Sequence, residues 1–328
     1  MQLVEQREIP RLGRSVSVVG LGTWQLGADW GNVTDEAAHE VLEVAVEQGI
    51  SFFDTADVYG DGRSERFCAG LHQRHPDVFI ATKMGRRVEQ LAANYNRENF
   101  YSWNDRSREN LAVEQIDLVQ LHCPPDAVYA SDAVFDVLDE LVEAGRIRAY
   151  GVSVETCDQA LAAISRPRVA SVQIILNCFR LKPLEQVLPA ALEAGVGIIA
   201  RVPLASGMLS GRFDENTTFA PDDHRSFNRR GEAFDVGETF SGVPYEVGLA
   251  AVRELRDLLD PGMTLAQFAL RWVIDQPGVS TVIPGASSAE QVMQNASVAA
   301  QQPLHEDQLS GVQDVYDRLV RPHVHARW

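Results

Sequence analysis

Basic residues are scarce in this chain. Against 46 aspartates and glutamates stand 29 lysines and arginines among 328 residues, a formal net charge of −17 with a pI near 4.9. Such a surface repels phosphate backbones and anionic lipid, which excludes nucleic acid and membrane as partners of the surface as a whole. Long hydrophobic runs are missing too. No apolar stretch approaches the roughly eighteen residues of a membrane span, and "MQLVEQREIP" has no basic segment followed by an apolar one. A cytoplasmic protein is therefore expected. Cysteine is sparse: Cys68, Cys123, Cys157 and Cys178 form no CxxC pair and no zinc-spaced cluster, so they read as reduced, buried side chains. His323 and His325 in "RPHVHARW" lie close in sequence, but this ending reads as a solvated tail rather than a metal site.

What is present is apolar and periodic. Hydrophobic residues make up 45% of the chain, enough to bury roughly three quarters of the unfolded surface. Short β-branched runs recur: "VSVVGLG" at 16–22, "ISFFD" at 50–54, "VFIATK" at 78–83, "IDLVQLH" at 116–122, "IRAYGVS" at 147–153, "VASVQII" at 169–175, "VGIIAR" at 196–201 and "VSTVIP" at 279–284. Several are apolar on both faces, as parallel strands covered by helices must be. Amphipathic stretches separate them, at 34–49 with Thr34 as N-cap and Gly49 as stop, at 131–146 and at 182–196. The alternation predicts an α/β fold, a single (β/α)8 TIM barrel spanning 1–328 as one domain. "LVEQREIPRLGRSV" fits an N-terminal β-hairpin cap on the barrel floor, with its turn at "LG". A long polar loop after strand 7, at 202–245, is too weakly periodic to be a barrel unit, and long loops in compact domains are usually functional.

In such barrels the chemistry gathers at the C-terminal ends of the strands. Asp54 ends the second strand, Lys83 the third and His122 the fourth, and Tyr59 follows Asp54 on the same loop. A buried lysine requires a carboxylate, and Asp54 is on the neighbouring strand. "GLG" at 20–22 is not a dinucleotide fingerprint, because the GxGxxG pattern fails at Gln25.

These residues resemble the aldo-keto reductases. The likeness covers nearly the whole chain through "GLGTWQLG", "FFDTADVYGDGRSE", "IATKMG", "DLVQLHCPP", "GRIRAYGVS", "VQIILN", "ARVPLASGMLSGR" and "IPGASSAEQVMQN". It implies a reductase of aldehydes and ketones, or a dehydrogenase running in reverse, in which Asp54, Tyr59, Lys83 and His122 are the catalytic tetrad. Tyr59 would donate the proton, Lys83 would lower its pKa, Asp54 would hold Lys83, and a neutral His122 would orient the carbonyl. The implied cofactor is NADP(H), with NAD(H) as the alternative. By the same likeness Gly22, Thr23 and Trp24 stand beside the cofactor, Ser153 and Gln173 meet the nicotinamide amide, and Arg201 stands where many members stack a tyrosine. Pro203, Leu204, Gly207 and Arg212 would follow the pyrophosphate, and Arg225, Gly285, Ser287, Ser288, Gln291 and Asn295 the adenosine end. Trp24, Trp103 and Phe227 are expected to wall the substrate pocket, with Arg86, Arg87 and Arg201 adding polar recognition. Alternatives are an NAD-dependent sugar or alcohol dehydrogenase and a non-catalytic, cofactor-sensing binding module like the potassium-channel β-subunits. The expected partner is a small carbonyl or alcohol, and a homo-oligomer is compatible with the sequence.

Overall fold

The computed structural model describes residues 4–27 and 33–328. Strands β1 (Gln6–Ile9) and β2 (Arg14–Ser17) pair antiparallel across a turn where Gly13 takes a left-handed φ of 61°. Their inward residues Ile9 and Val16 join Phe52, Phe79, Leu118, Ile199 and Ile283 in one apolar cluster, with Phe52 stacked on Phe79 at 5.4 Å. The hairpin thus seals the floor by burying its own side chains, as the sequence predicts.

Eight parallel strands form the wall: β3 (Leu21–Gly22), β4 (Phe52–Asp54), β5 (Phe79–Met84), β6 (Ile116–His122), β7 (Ile147–Ser153), β8 (Val169–Ile175), β9 (Gly197–Arg201) and β10 (Val279–Val282). Each pairs with the next, and the bridges Val19 to Val282 and Gly22 to Gly285 close the ring. One predicted strand divides. Of 16–22, Val16 and Ser17 belong to the hairpin and only Leu21 and Gly22 register with β4. The chain changes partner at Gly20, where a Cβ would lie 3.0 Å from Phe52 and 3.1 Å from Thr281.

The helices bury one stripe each against this wall. Helix Asp35–Glu47 starts where Thr34 Oγ1 accepts from the Ala37 amide at 3.2 Å, and it buries Ala38, Val41, Leu42 and Ala45 at helical spacing. The stretch predicted at 182–196 begins instead as a 3-10 turn, Lys182–Leu184, and becomes helical only at Val187–Ala194. Pro183 opens the turn and Gln186, at φ −136°, breaks the path between them. The loop after β9 holds short turns, then helices Tyr245–Arg256 and Leu265–Ile274. All four cysteines are buried and unbridged. The chain's ending is a packed element rather than a solvated tail: Trp328 is 6% exposed, and His325 Nδ1 meets the Tyr316 hydroxyl at 2.9 Å. Among the described residues no helix is long and apolar enough to cross a membrane.

Candidate active site

Strand register assembles the site. Gly22 pairs with Asp54, Lys83 with Gln120, His122 with Ser153, Ser153 with Gln173 and Ile175 with Arg201. With period-two alternation, inward residues of neighbouring strands stand side by side at one rim. Beyond β4 the chain turns sharply at Gly60, whose φ of 57° and close approach to the Gly27 carbonyl leave no room for a Cβ, and this turn returns Tyr59 to the cavity.

The Lys83 ammonium is fully buried. It donates to Asp54 Oδ1, to the Thr55 carbonyl at 2.9 Å and to the Tyr59 hydroxyl at 3.3 Å. The second Asp54 oxygen accepts from Gln120 Nε2 at 3.0 Å and Gln173 Nε2 at 2.8 Å. Gln173, expected at the nicotinamide, thus lines the cavity with its amide nitrogen committed to Asp54. Burial works against the Lys83 charge, but Asp54 and Tyr59 outweigh it and hold its pKa above the ordinary value. The sequence expectation for Tyr59 is corrected: burial is the largest influence and raises its pKa, although Lys83 pulls the other way. His122 is pushed well below the usual range by burial and then by Arg86, Lys83 and Arg201, so the imidazole is neutral. Its ring lies edge-on to Tyr59, centroids 6.0 Å apart, and Trp24 stacks on Tyr59 at 6.0 Å.

A cavity of 720 Å³ opens over these groups. Asp54, Tyr59, His122, Gly22, Thr23, Trp24, Ser153, Gln173, Arg201, Pro203, Leu204, Gly207, Arg212, Arg225, Gly285, Ser287, Gln291 and Asn295 all line it. Lys83 lies behind Tyr59, and Ser288 sits outside the lining, capping helix Ala289–Ser297 by accepting from the Gln291 amide at 3.4 Å. The volume suits a dinucleotide-sized ligand. One wall is 202–207, where Val202, Ala205 and Ser206 hold positive φ without being glycine; such strain collects at ligand clamps. Arg225 is bound to Asp223, its Nε donating at 2.9 Å, and its guanidinium lies 4.6 Å from the Phe219 ring centre.

Two expected pocket walls are corrected. Trp103 belongs to helix Arg97–Leu111, where it packs on Phe100 and Tyr95 at 5.6 and 5.9 Å, 5% exposed and away from the cavity. Phe227 is 41% exposed, and its neighbour Phe234 lines the cavity against Trp24 instead. Arg87 also turns away, to Asp61 at 2.8 Å, while Arg86 stays and donates to the His122 carbonyl at 3.2 Å.

Sequence reasoning missed Gln120, Glu155 and Glu238. Gln120 was within reach of the period-two rule, two residues before His122 on the same strand face. Glu155 and Glu238 carry no local signal. They meet at Arg201, whose Nη2 donates to Glu155 Oε2 at 2.9 Å and to the Val154 carbonyl at 2.9 Å, while Nη1 pairs with Glu238. Burial opposes the Glu155 charge, but Arg201 and Arg86 prevail and hold its carboxyl below the ordinary range. Burial, with Glu155 alongside, raises Glu238.

An eight-stranded barrel with this lysine-centred rim defines a class, and comparison with known proteins agrees. The model of the Aldo/keto reductase family matches residues 18–317, and the chain belongs to that family, as an oxidoreductase. It is 30% identical over 297 residues to aldo-keto reductase YhdN of Bacillus subtilis, covering 88% of this chain and 87% of that one. A probable voltage-gated potassium channel subunit beta of Arabidopsis thaliana is 26% identical over 92% of this chain and 93% of its own. The solved glycerol dehydrogenase AKR11B4 from Gluconobacter oxydans superposes with a TM-score of 0.79 at 30% identity, covering 96% of each chain.

Proposed function

We propose that this chain reduces aldehydes or ketones with NADP(H), or oxidises the corresponding alcohols, and that Tyr59 is the proton donor to the carbonyl oxygen. The observation that carries the reading is the Tyr59 hydroxyl, which takes a hydrogen bond from a buried ammonium and faces the cavity beside a neutral histidine. Residues lining the cavity from Gly22 round to Asn295 would hold the cofactor, with the strained amides of 202–207 and the N-terminus of helix Ala289–Ser297 toward its phosphates. When bound, a reduced nicotinamide supplies hydride to the carbonyl carbon.

The protein manages the charge that this puts on oxygen. Tyr59 arrives as a phenol because burial disfavours the phenolate. It gives up its proton only when a stronger base, the developing alkoxide, stands against it. Lys83, held by Asp54, then neutralises the phenolate left behind. His122 donates a hydrogen bond that orients the carbonyl and spreads the charge. A barrel that only senses cofactor has no use for this arrangement, which favours turnover over the binding reading. The test is to follow NADPH and NADH oxidation with a panel of aldehydes and ketones. Turnover with NADPH is expected. Tight NADPH binding with no turnover across the panel would overturn the enzymatic reading.

A further inference from the structure

Gln120 lies beneath the cavity rather than in its lining, fully buried on β6. It shares one layer of the barrel interior with Asp54 on β4 and Gln173 on β8, which come from alternate strands. Such layers are ordinarily filled by branched apolar side chains. Here the layer is polar and closed on itself. Gln120 Nε2 donates to Asp54 Oδ2 at 3.0 Å, Gln173 Nε2 donates to the same oxygen at 2.8 Å, and Gln120 Oε1 accepts from Gln173 Nε2 at 3.2 Å. Polar groups in a core layer are costly unless every hydrogen bond is made, and an apolar layer would pack as well.

The layer divides the Asp54 carboxylate. Its Oδ1 meets Lys83, and its Oδ2 is taken by the two amides. The Lys83 ammonium has three hydrogens, and Asp54 Oδ1, the Thr55 carbonyl and the Tyr59 hydroxyl accept one each. With Oδ2 free, the carboxylate would turn that oxygen to the ammonium as well, and a hydrogen would leave Tyr59. The amides also draw on the carboxylate charge, so less of it offsets the field of the ammonium at the phenol. We propose that Gln120 is a positioning residue for proton donation, holding Asp54 to a single oxygen on Lys83 and so keeping the ammonium on Tyr59. Gln173 lines the cavity and is open to a ligand, whereas among the described residues Gln120 has only Asp54 and Gln173 as side-chain partners. The part that Gln120 plays in catalysis rests on the carbonyl-reductase reading.

The experiment compares wild type with two variants. Gln120→Leu removes the amide at similar volume, and Gln120→Glu restores a donor to Asp54 only while the introduced carboxyl is protonated. In the cofactor-free protein Tyr59 is titrated by carbon NMR of ring-labelled tyrosine, its signal identified by its loss in Tyr59→Phe. Its pKa should rise by about one pH unit in either variant, as the ammonium is drawn toward Asp54. With NADPH and a carbonyl that wild type reduces, Gln120→Leu should lower kcat about 10-fold and change the NADPH Kd by less than about 2-fold. Gln120→Glu should approach wild-type kcat at about pH 5 and fall about 10-fold below it by about pH 9, because burial and the Asp54 charge raise the pKa of the introduced carboxyl into that range. An unchanged Tyr59 titration in a folded variant would overturn the proposal. So would weaker NADPH binding at unchanged kcat, or a Gln120→Glu deficit that is the same at both pH values. If Gln120→Leu does not fold, the isosteric Gln120→Glu decides alone. If wild type reduces no carbonyl, the reductase reading falls and takes the catalytic role with it; the Tyr59 titration needs no turnover and tells that failure from a failure of Gln120 to hold Asp54.

Discussion

At the scale of single residues, Asp57 is a buried carboxyl without a hydrogen-bond partner among the described residues. It lies between Asp54 and Tyr59 and is fully buried. Burial first, and then Glu65, raise its pKa to about 7 against the opposing pull of Arg87 and Arg106. In the unfolded chain it titrates near ~3.9. Between these values the native state holds a proton that the unfolded chain has released, so stability is full below about pH 4 and falls as pH rises through about 7, by as much as roughly 4 kcal/mol. Asp57→Asn keeps the shape and removes the titration. Urea unfolding should find the variant equal to wild type near pH 4 and more stable at pH 8; equal pH profiles would show that the carboxyl is not the source.

At the scale of elements, the segment between β9 and helix Tyr245–Arg256 forms one side of the cavity. Its turn Val236–Glu238 delivers Glu238 to the cavity and is held by Trp328, whose indole N–H donates to Asp235 at 3.1 Å and whose ring lies 3.4 Å from the Arg180 guanidinium. Trp328→Ala should cost about 3–5 kcal/mol, as large-to-small changes in a packed site do, and should speed proteolytic cleavage within 231–243. A cleavage rate equal to wild type would free this turn from the indole. The same segment carries Arg225 to the cavity, and if it meets the extra phosphate of NADP(H), Arg225→Ala should raise the Kd for NADPH about 10-fold or more and leave NADH nearly unchanged. Equal losses for both cofactors would leave Arg225 a packing residue beside Asp223. Little of this segment was legible in the sequence. Its contacts are made by polar side chains on short turns, which have no periodicity, so the sequence points to Phe227 where Phe234 forms the wall. Trp103 departs from its expected place for a different reason: its helix is so polar on its outer face that the buried stripe of Phe100, Trp103 and Leu111 does not stand out in the sequence.

For the molecule as a whole, the barrel was legible because parallel strands covered on both faces must be apolar along their length, and seven of the eight runs fall on observed strands within a few residues. The eighth was split by the hairpin. The clustering of Asp54, Tyr59, Lys83 and His122 was legible because each interrupts an apolar strand end or follows one, at Asp54, Lys83 and His122, with Tyr59 one turn beyond. Its support was not, since Gln120 and Gln173 reach Asp54 only once the strands are in register. In the function proposed for this chain, the closed ring puts the Tyr59 proton beside a carbonyl oxygen. That claim is tested most directly by Tyr59→Phe, measuring carbonyl reduction alongside NADPH affinity by fluorescence titration. Loss of the hydroxyl should lower kcat by about 10²- to 10⁴-fold, the usual share of a general acid, with the NADPH Kd changed little. A variant that reduces the same carbonyl at near wild-type kcat would contradict the claim.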